Sequence, residues 1–591
     1  MMIKHPMART PARPTTPLTA AAITTLVATT CLAPLAAEEP HASAAFEAGL
    51  ALGKLFSVAG GDGTEGVVLR GYEDGLNLGT SVALGGDLNG DGIDDLLIGG
   101  TQRGSGMGPG LVFVVYGRSD IAEAEVDLTA LFSQSGGDGS DGFVIRGLTR
   151  RDWLGGSVEI LEDFDGDGLN DLAMCARNAN LGLESRAGEC YILFGRAENF
   201  PPQFDLRSLE PANGGDGSAG VIITNDQAVA ELGGSLADVG DINGDGLSDL
   251  AIGAPNAMPS TGRTRAGAVY VIYGNPRELP AQVVLPLLID GVRGFEIAGA
   301  ADEDGLGDSI DGGRDINGDG VDDLIVGAGQ AALTPEFFFG PGEAYLLYGR
   351  TEGFPALIDV ADLREANGGD GSRGVVFRGV EPGDRPVSSG GRLGSGAALV
   401  DDVNGDHIPD LLLGASSETV DDVVFSGRSY LIFGKSNLPA QIELATLFEA
   451  EGGDGSTGVV FGGKADGGSV GASVAGVGDM NGDGLGDVIL AATIADAPGQ
   501  CCVGKLYLLF GRDDFDAEEF LTQLGGGDGS QGVLIRGVSQ GDSAGTALSG
   551  GGDWNGDGVD DVVIGAQIAN AFGLLDAGEV YIVFGRSAPP R

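Results

Sequence analysis

The chain has 591 residues, 108 of them Gly, and its 86 acidic against 33 basic side chains give a formal net charge of -53. So acidic a surface repels phosphates, which excludes nucleic acid as a partner. Hydrophobic residues make up 42% of the chain, enough for a large core, and they fall in short runs that point to many short strands.

Residues 1–44 differ in character from the rest of the chain. Lys4, Arg9 and Arg13 precede an apolar stretch from Leu18 to Ala37, and small residues mark cleavage points after Ala37 or Ala44, the pattern of a signal peptide and leader. Cys31 follows Ala28, Thr29 and Thr30, a poor lipoprotein box. No other segment has the length of apolar residues that spans a bilayer. A soluble exported protein is therefore expected, with one domain over residues 45–591.

The first run of that domain is Gly66 to Gly71, and after it one unit repeats. A strand leads into a loop with alternating oxygen-bearing side chains at Asp87, and Asp95-Leu96-Leu97-Ile98 comes next. A variable linker, the strand Val112 to Tyr116, Gly117-Arg118, a Gly-Gly-Asp-Gly connection and the run Gly142 to Gly147 complete the unit. Equivalent loops begin at Asp163, Asp241, Asp315, Asp402, Asp479 and Asp553, separated by 76, 78, 74, 87, 77 and 74 residues from first to last. Third strands recur at Tyr191, Tyr270, Tyr345, Tyr430, Tyr507 and Tyr581; the run Gly294 to Ala300 alone lacks its Gly-Gly-Asp-Gly.

Four strands per unit, rich in Val, Ile, Tyr and Phe and divided by Gly turns, make a propeller blade, and repetition at a fixed period fixes the architecture. The expectation is an all-β, seven-bladed propeller with four-stranded blades. Its last unit stops at Gly585-Arg586, so Gly66 to Gly71 is expected to complete the C-terminal blade and remove two exposed sheet edges.

Beyond the leader lie Cys175 and Cys190, on neighbouring strands, and the adjacent Cys501 and Cys502; none has zinc-site spacing with His. The first two form a cross-strand disulfide or remain buried thiols. Cys501 and Cys502 are a vicinal disulfide or two loop thiols.

Leu78-Gly79, Leu154-Gly155 and Leu232-Gly233 precede the loops, and Ile252-Gly253-Ala254-Pro255 lies after one of them. These motifs resemble the Phe-Gly and Gly-Ala-Pro of the FG-GAP repeat of integrin alpha subunits, also found in many bacterial exported proteins, over roughly residues 60 to 587. Cys175 replaces the Gly of Gly-Ala in the second unit.

Asp87, Asn89, Asp91 and Asp95 place oxygens at loop positions 1, 3, 5 and 9, with Gly92 at the sharp turn and Ile93 able to offer its backbone carbonyl. Hard cations with six to eight oxygen ligands require such crowding, and without a cation the carboxylates repel. An EF-hand would need Glu at position 12, where Ile98 stands, so the loop joins strands and calcium is the expected ion.

By position, the resemblance implies Asp163, Asp165, Asp167 and Asp171 with Leu169 in the second loop, and Asp241, Asn243, Asp245 and Asp249 with Leu247 in the third. The fourth has Asp315, Asn317, Asp319 and Asp323 with Val321; the fifth has Asp402, Asn404, Asp406 and Asp410 with Ile408. Asp479, Asn481, Asp483 and Asp487 with Leu485 serve the sixth, and Asp553, Asn555, Asp557 and Asp561 with Val559 the seventh. Up to seven Ca2+ ions are thus expected. The fifth loop departs, with His407 at the turn Gly and Pro409 two residues later. These ligand positions hold 22 of the 86 acidic residues, so most of the acidic surplus serves solubility or tolerance of high salt.

Two Gly-x-Ser-x-Gly matches, Gly467 to Gly471 and Gly541 to Gly545, resemble nucleophile elbows, but no His comes after either Ser. No catalytic residue is assigned. The family resemblance implies ligands on the face opposite the loops, where residues 101–110, 149–153, 178–188 and 255–266 lie and where Arg151, Trp153 and Arg263 are candidate anchors. The functional expectation is a secreted, periplasmic or surface-associated calcium-binding propeller that serves cell adhesion or binds an extracellular protein or glycan. The alternatives are a carbohydrate-active or other envelope enzyme using surface carboxylates, and a purely structural surface protein.

Overall fold

A computed structural model of the chain describes residues 46–587 except 104–106, 122, 181–185, 276–278, 332–339, 381–390, 421–422, 463–467 and 497–499. The leader assigned to residues 1–44 lies outside the described residues.

Seven sheets correspond to the seven repeats. In the first blade, strands Leu78–Leu84, Leu96–Gly100, Leu111–Val115 and Gly142–Arg146 run antiparallel from the inside outward. Leu111–Val115 is buried along its whole length, because a blade packs against a neighbour on each face. Such strands read as continuous apolar runs rather than alternating ones.

The four-stranded blade needs a correction: each sheet has five strands. The fifth is short and parallel, and it comes from a segment read as mere connection. Gln203–Phe204 pairs with Val144 and Ile145, and Val144 N–H donates to the Pro202 carbonyl at 3.0 Å. Immediately after it, the 3-10 turn Leu206–Leu209 buries Leu206 and Leu209 over the outer end of the sheet. The segment thus ends the sheet and caps an apolar layer at once.

The N-terminal closure is as expected and goes further. Gly66–Arg70 pairs antiparallel with Glu579–Val583, and so completes the blade formed by Ala547–Gly552, Asp561–Ala566 and Glu579–Val583. In addition, Gly49–Ala51 pairs with Leu534 to Arg536 as the fifth strand of the preceding blade. Two blades therefore depend on the N-terminal segment.

Contact between blades is closest at the inner strands, and this accounts for the paired Gly motifs. Gly155 adopts φ 80°, where Gly carries no Cβ penalty, and a Cβ there would lie 2.5 Å from the Leu111 carbonyl oxygen. Its own carbonyl accepts the Ser81 hydroxyl of the first blade at 3.0 Å, and Ser157, Ser235 and Ser309 repeat the bond to Gly233, Gly307 and Gly394. Cys175, which takes the small residue's place in the second blade, is bonded to Cys190 directly across the sheet. The inner strands enclose an axial cavity of about 400 Å³, lined by Ser81, Ser157, Ser235, Ser309 and Asp308 among others.

Candidate metal centre

Every acidic loop connects the first strand of a blade to its second, so all seven lie on one face of the ring and the connections between second and third strands lie on the other. Within each loop the carboxylates organise the backbone. In the first, Asp87 Oδ1 accepts the Gly90 and Asp91 N–H groups at 2.6 and 3.0 Å, and Oδ2 accepts Gly92 N–H at 2.6 Å. Asp91 Oδ1 accepts Ile93 N–H at 3.0 Å.

Position 9 joins the loop to the third strand. Asp95 is fully buried; Oδ2 accepts Leu88 N–H at 2.9 Å and Oδ1 accepts Gly117 N–H at 2.9 Å. The same bond to the Gly of the Gly-Arg or equivalent pair recurs at Asp171, Asp249, Asp323, Asp410, Asp487 and Asp561. Burial pushes Asp95 up to about 8 despite these amide donors, and the charges of Asp91 and Asp87 add to the rise. The same burial raises Asp171, Asp323 and Asp561 to about 8 and Asp410 to about 7.

In the second loop three of the predicted oxygens come together. One carboxylate oxygen each from Asp163, Asp165 and Asp167 lies within 4.8 Å of the others. Asp163 Oδ1 is buried and has no hydrogen-bond partner, a costly state for a carboxylate oxygen unless a cation meets it. Elsewhere position 3 is Asn: Asn243 donates through Nδ2 to Asp249 Oδ2 at 3.0 Å, and Asn317, Asn404, Asn481 and Asn555 donate likewise. That use of the amide nitrogen leaves the amide oxygen for a cation. Asp-and-Asn oxygen sets of this kind fit a hard divalent ion.

In the fifth loop His407 takes φ 69°, where Gly92, Gly168, Gly246, Gly320, Gly484 and Gly558 have φ 86–92°. Its N–H still donates to Asp402 Oδ2, at 2.8 Å, so the turn is retained with a side chain in the left-handed region.

Position 8 carries a role that the repeat pattern does not reveal. Asp553 N–H donates to Asp94 Oδ2 of the next blade at 2.8 Å; Asp241 N–H donates to Asp322, Asp479 N–H to Asp560 and Asp87 N–H to Asn170 in the same way. Four of the seven seams between neighbouring loops are thus tied edge to edge. Asp or Asn at position 8 of four loops is the signal that was present; the other three have Ser248, Pro409 and Gly486 there. Asp94→Ala is expected to destabilise the protein by about 1–3 kcal/mol, because it strands a backbone donor at the seam; a denaturant midpoint unchanged from wild type would reject the role.

A family model for the FG-GAP repeat matches residues 78–115, 233–272 and 306–347, each running from the Leu-Gly turn through an acidic loop to the third strand. Three of the seven blades carry FG-GAP repeats. Integrin alpha pat-2 of Caenorhabditis elegans is 30% identical over 293 residues, 48% of this chain and 20% of that protein. Human integrin alpha-IIb is 32% identical over 188 residues, 31% of this chain and 15% of that protein. The chain spans about a fifth of the length of these curated relatives or less. Among solved structures, the intramolecular trans-sialidase from Ruminococcus gnavus aligns over 93% of this chain and all of its own at 10% identity and a TM-score of 0.32, too loosely to bear on fold or function.

On the other face of the propeller, the residue before each Leu-Gly or equivalent pair sits in the left-handed region: φ is 53° at Asn77, 62° at Trp153, 53° at Glu231, 56° at Arg392, 57° at Ser469 and 50° at Ser543. Ser469 and Ser543 are the serines of the two Gly-x-Ser-x-Gly matches, so those motifs are instances of the blade-entry turn; Gly467 lies outside the described residues. Of the three candidate anchors, Arg263 is tied to Asp359 at 2.8 Å and to the Gly299 carbonyl at 2.8 Å, Arg151 is exposed, and Trp153 lies against two arginines. Cys501 and Cys502 carry sulfurs 3.0 Å apart and are not bonded. Among the described residues no helix is long and apolar enough to cross a membrane.

Proposed function

We propose that the chain is an exported propeller held together by calcium in its acidic loops, and that it serves adhesion or binding of an extracellular ligand. The observation that carries the calcium reading is the buried, unpartnered Asp163 Oδ1 beside Asp165 and Asp167. Side chains at positions 1, 3, 5 and 9 and the carbonyl at position 7 would hold each ion, which would supply positive charge where the carboxylates repel. Support for ligand binding comes from the integrin alpha relatives and from the length of the connections on the opposite face. Calorimetric titration of calcium into chelated protein tests the proposal: several sites per chain are expected, and no heat of binding would overturn it.

The fifth site should be the weakest of the seven. A non-Gly residue in the left-handed region costs roughly 1–2 kcal/mol, which the ion-bound loop must carry. His407→Gly is expected to tighten one class of sites in the titration and to raise the melting temperature; unchanged affinity and melting would show that the turn is not strained.

A further inference from the structure

We infer that Asp496, Cys501 and Cys502 form a site for a single thiophilic divalent ion, of the zinc and cadmium class, on the face opposite the acidic loops. One ligand atom from each residue, a carboxylate oxygen and two sulfurs, lies within 4.8 Å of the others. The two sulfurs are 3.0 Å apart and unbonded. Thiolates select zinc and softer ions, whereas calcium and magnesium take oxygen ligands. The acidic loops offer oxygen alone, so the two kinds of site differ in the ion they take.

The fold holds this site from both sides. All three residues lie in the connection between the second and third strands of the sixth blade, Val488–Ala492 and Lys505–Leu509. Ala495, next to Asp496, is buried, and its carbonyl accepts Gly504 N–H at 3.3 Å. The Cys501 and Cys502 carbonyls accept the Gly541 and Ser543 N–H groups at 3.2 and 3.0 Å, which pins the pair to the turn that enters the seventh blade.

The turn itself does not call for this chemistry. In the second and seventh blades the residue matching Cys502 is Arg186 or Asp576, with φ 56° and 49° against 57° at Cys502, and its carbonyl accepts the N–H of Glu231 or Asn77 in the same way. Six positions upstream stands Asn180 or Asn570, whose Oδ1 accepts the Arg186 or Asp576 N–H at 3.0 and 3.1 Å. Asp496 Oδ1 makes the same bond to Cys502 N–H at 3.0 Å. An amide therefore suffices for the turn. The sixth blade puts a carboxylate there instead, beside two sulfurs, and a cation gives that exchange a purpose.

Two zinc–sulfur bonds of about 2.3 Å at a tetrahedral angle hold their sulfurs roughly 3.8 Å apart. Cys501 is exposed, so a small rotation of its side chain opens the pair to that distance. The carboxylate is the third ligand, and exposure leaves the fourth position to water. Binding releases the two thiol protons to solvent, so affinity rises with pH.

The test titrates cadmium into the reduced full chain saturated with calcium, so that the acidic loops are already occupied, and follows the ultraviolet thiolate-to-cadmium charge-transfer band. Cys175 and Cys190 are joined and buried and add no thiolate. A double variant, Cys501→Ser with Cys502→Ser, measures what Cys31 contributes. Above that background the expected result is one ion per chain, displaced by zinc. Binding should be at least tenfold weaker in each single Ser variant and in Asp496→Asn, all melting as wild type. Asn keeps the turn bond, as at Asn180, so a loss in that variant reports on the charge beside the ion and not on the fold. The proposal is overturned if the double variant gives the wild-type band, if Asp496→Asn binds as tightly as wild type, or if one ion is shared between two chains. A vicinal disulfide between Cys501 and Cys502 in the untreated protein would overturn it as well. Absence of the band with calcium-dependent melting intact would reject this site alone; absence of calcium dependence would reject the assignment of calcium to the acidic loops.

Discussion

Chelation of calcium from the loaded protein is expected to lower its melting temperature by roughly 10 °C or more. A ligand present at a hundred times its dissociation constant stabilises the folded state by about 2.7 kcal/mol per site. Three such sites would contribute about 8 kcal/mol, within the range of the whole stability of an ordinary domain. For large domains each kcal/mol moves the midpoint by about 2–4 °C or less, which sets the scale of the expected fall.

Two structural features make the loss spread beyond the loops. Position 9 carboxylates such as Asp95 hold the first loop to the third strand, so repulsion released in the loop acts on the sheet itself. Asp94, Asp322, Asp560 and Asn170 carry the disturbance to a neighbouring blade. Scanning calorimetry with and without chelator checks the expectation, with calcium restored as control. Melting within about 2 °C in the two states would mean that the oxygens are held apart by the fold alone, and the calcium reading would fail.

The propeller was legible because its signals repeat. A Gly at each sharp turn, oxygens at positions 1, 3, 5 and 9, and three apolar runs recur together, and the regular spacing counts the blades. What the repeat did not disclose is set by pairing between segments. Gln203–Phe204 is two residues long, too short for any periodicity, and becomes a strand because Val144 offers its edge. Gly49–Ala51 is equally hard to read from so few residues and lies close to the leader in sequence. Position 9 reads as a ligand, yet Asp95 Oδ2 holds Leu88 of the loop while Oδ1 latches it to Gly117, a contact visible only once the sheet is formed. Trp153 was legible as a candidate anchor, whereas the arginines beside it, Arg103 and Arg177, were not.

Loss of the closing strand is expected to cost the protein its cooperative unfolding. Val67, Val68 and Leu69 are fully buried, and each such side chain contributes about 1.5–3 kcal/mol on transfer from water, or roughly 5–9 kcal/mol for the three. To this is added the five-residue ladder from Gly66↔Val583 to Arg70↔Glu579. Deletion of residues 60–71 removes both and leaves Glu579–Val583 as an open edge, a template for association between chains. Because deletion also disturbs the Gly49–Ala51 strand, Val68→Asp offers a second route that keeps the chain length. It places a charge in a core where Val68 packs with Tyr581 and Ile564, and an unpaired buried charge is among the most destabilising changes available. Both variants should lose the sharp melting transition and aggregate on heating at calcium concentrations that saturate the wild type. If either melts cooperatively at the wild-type temperature, the last blade is stable without its N-terminal strand and the ring is closed by packing between blades alone.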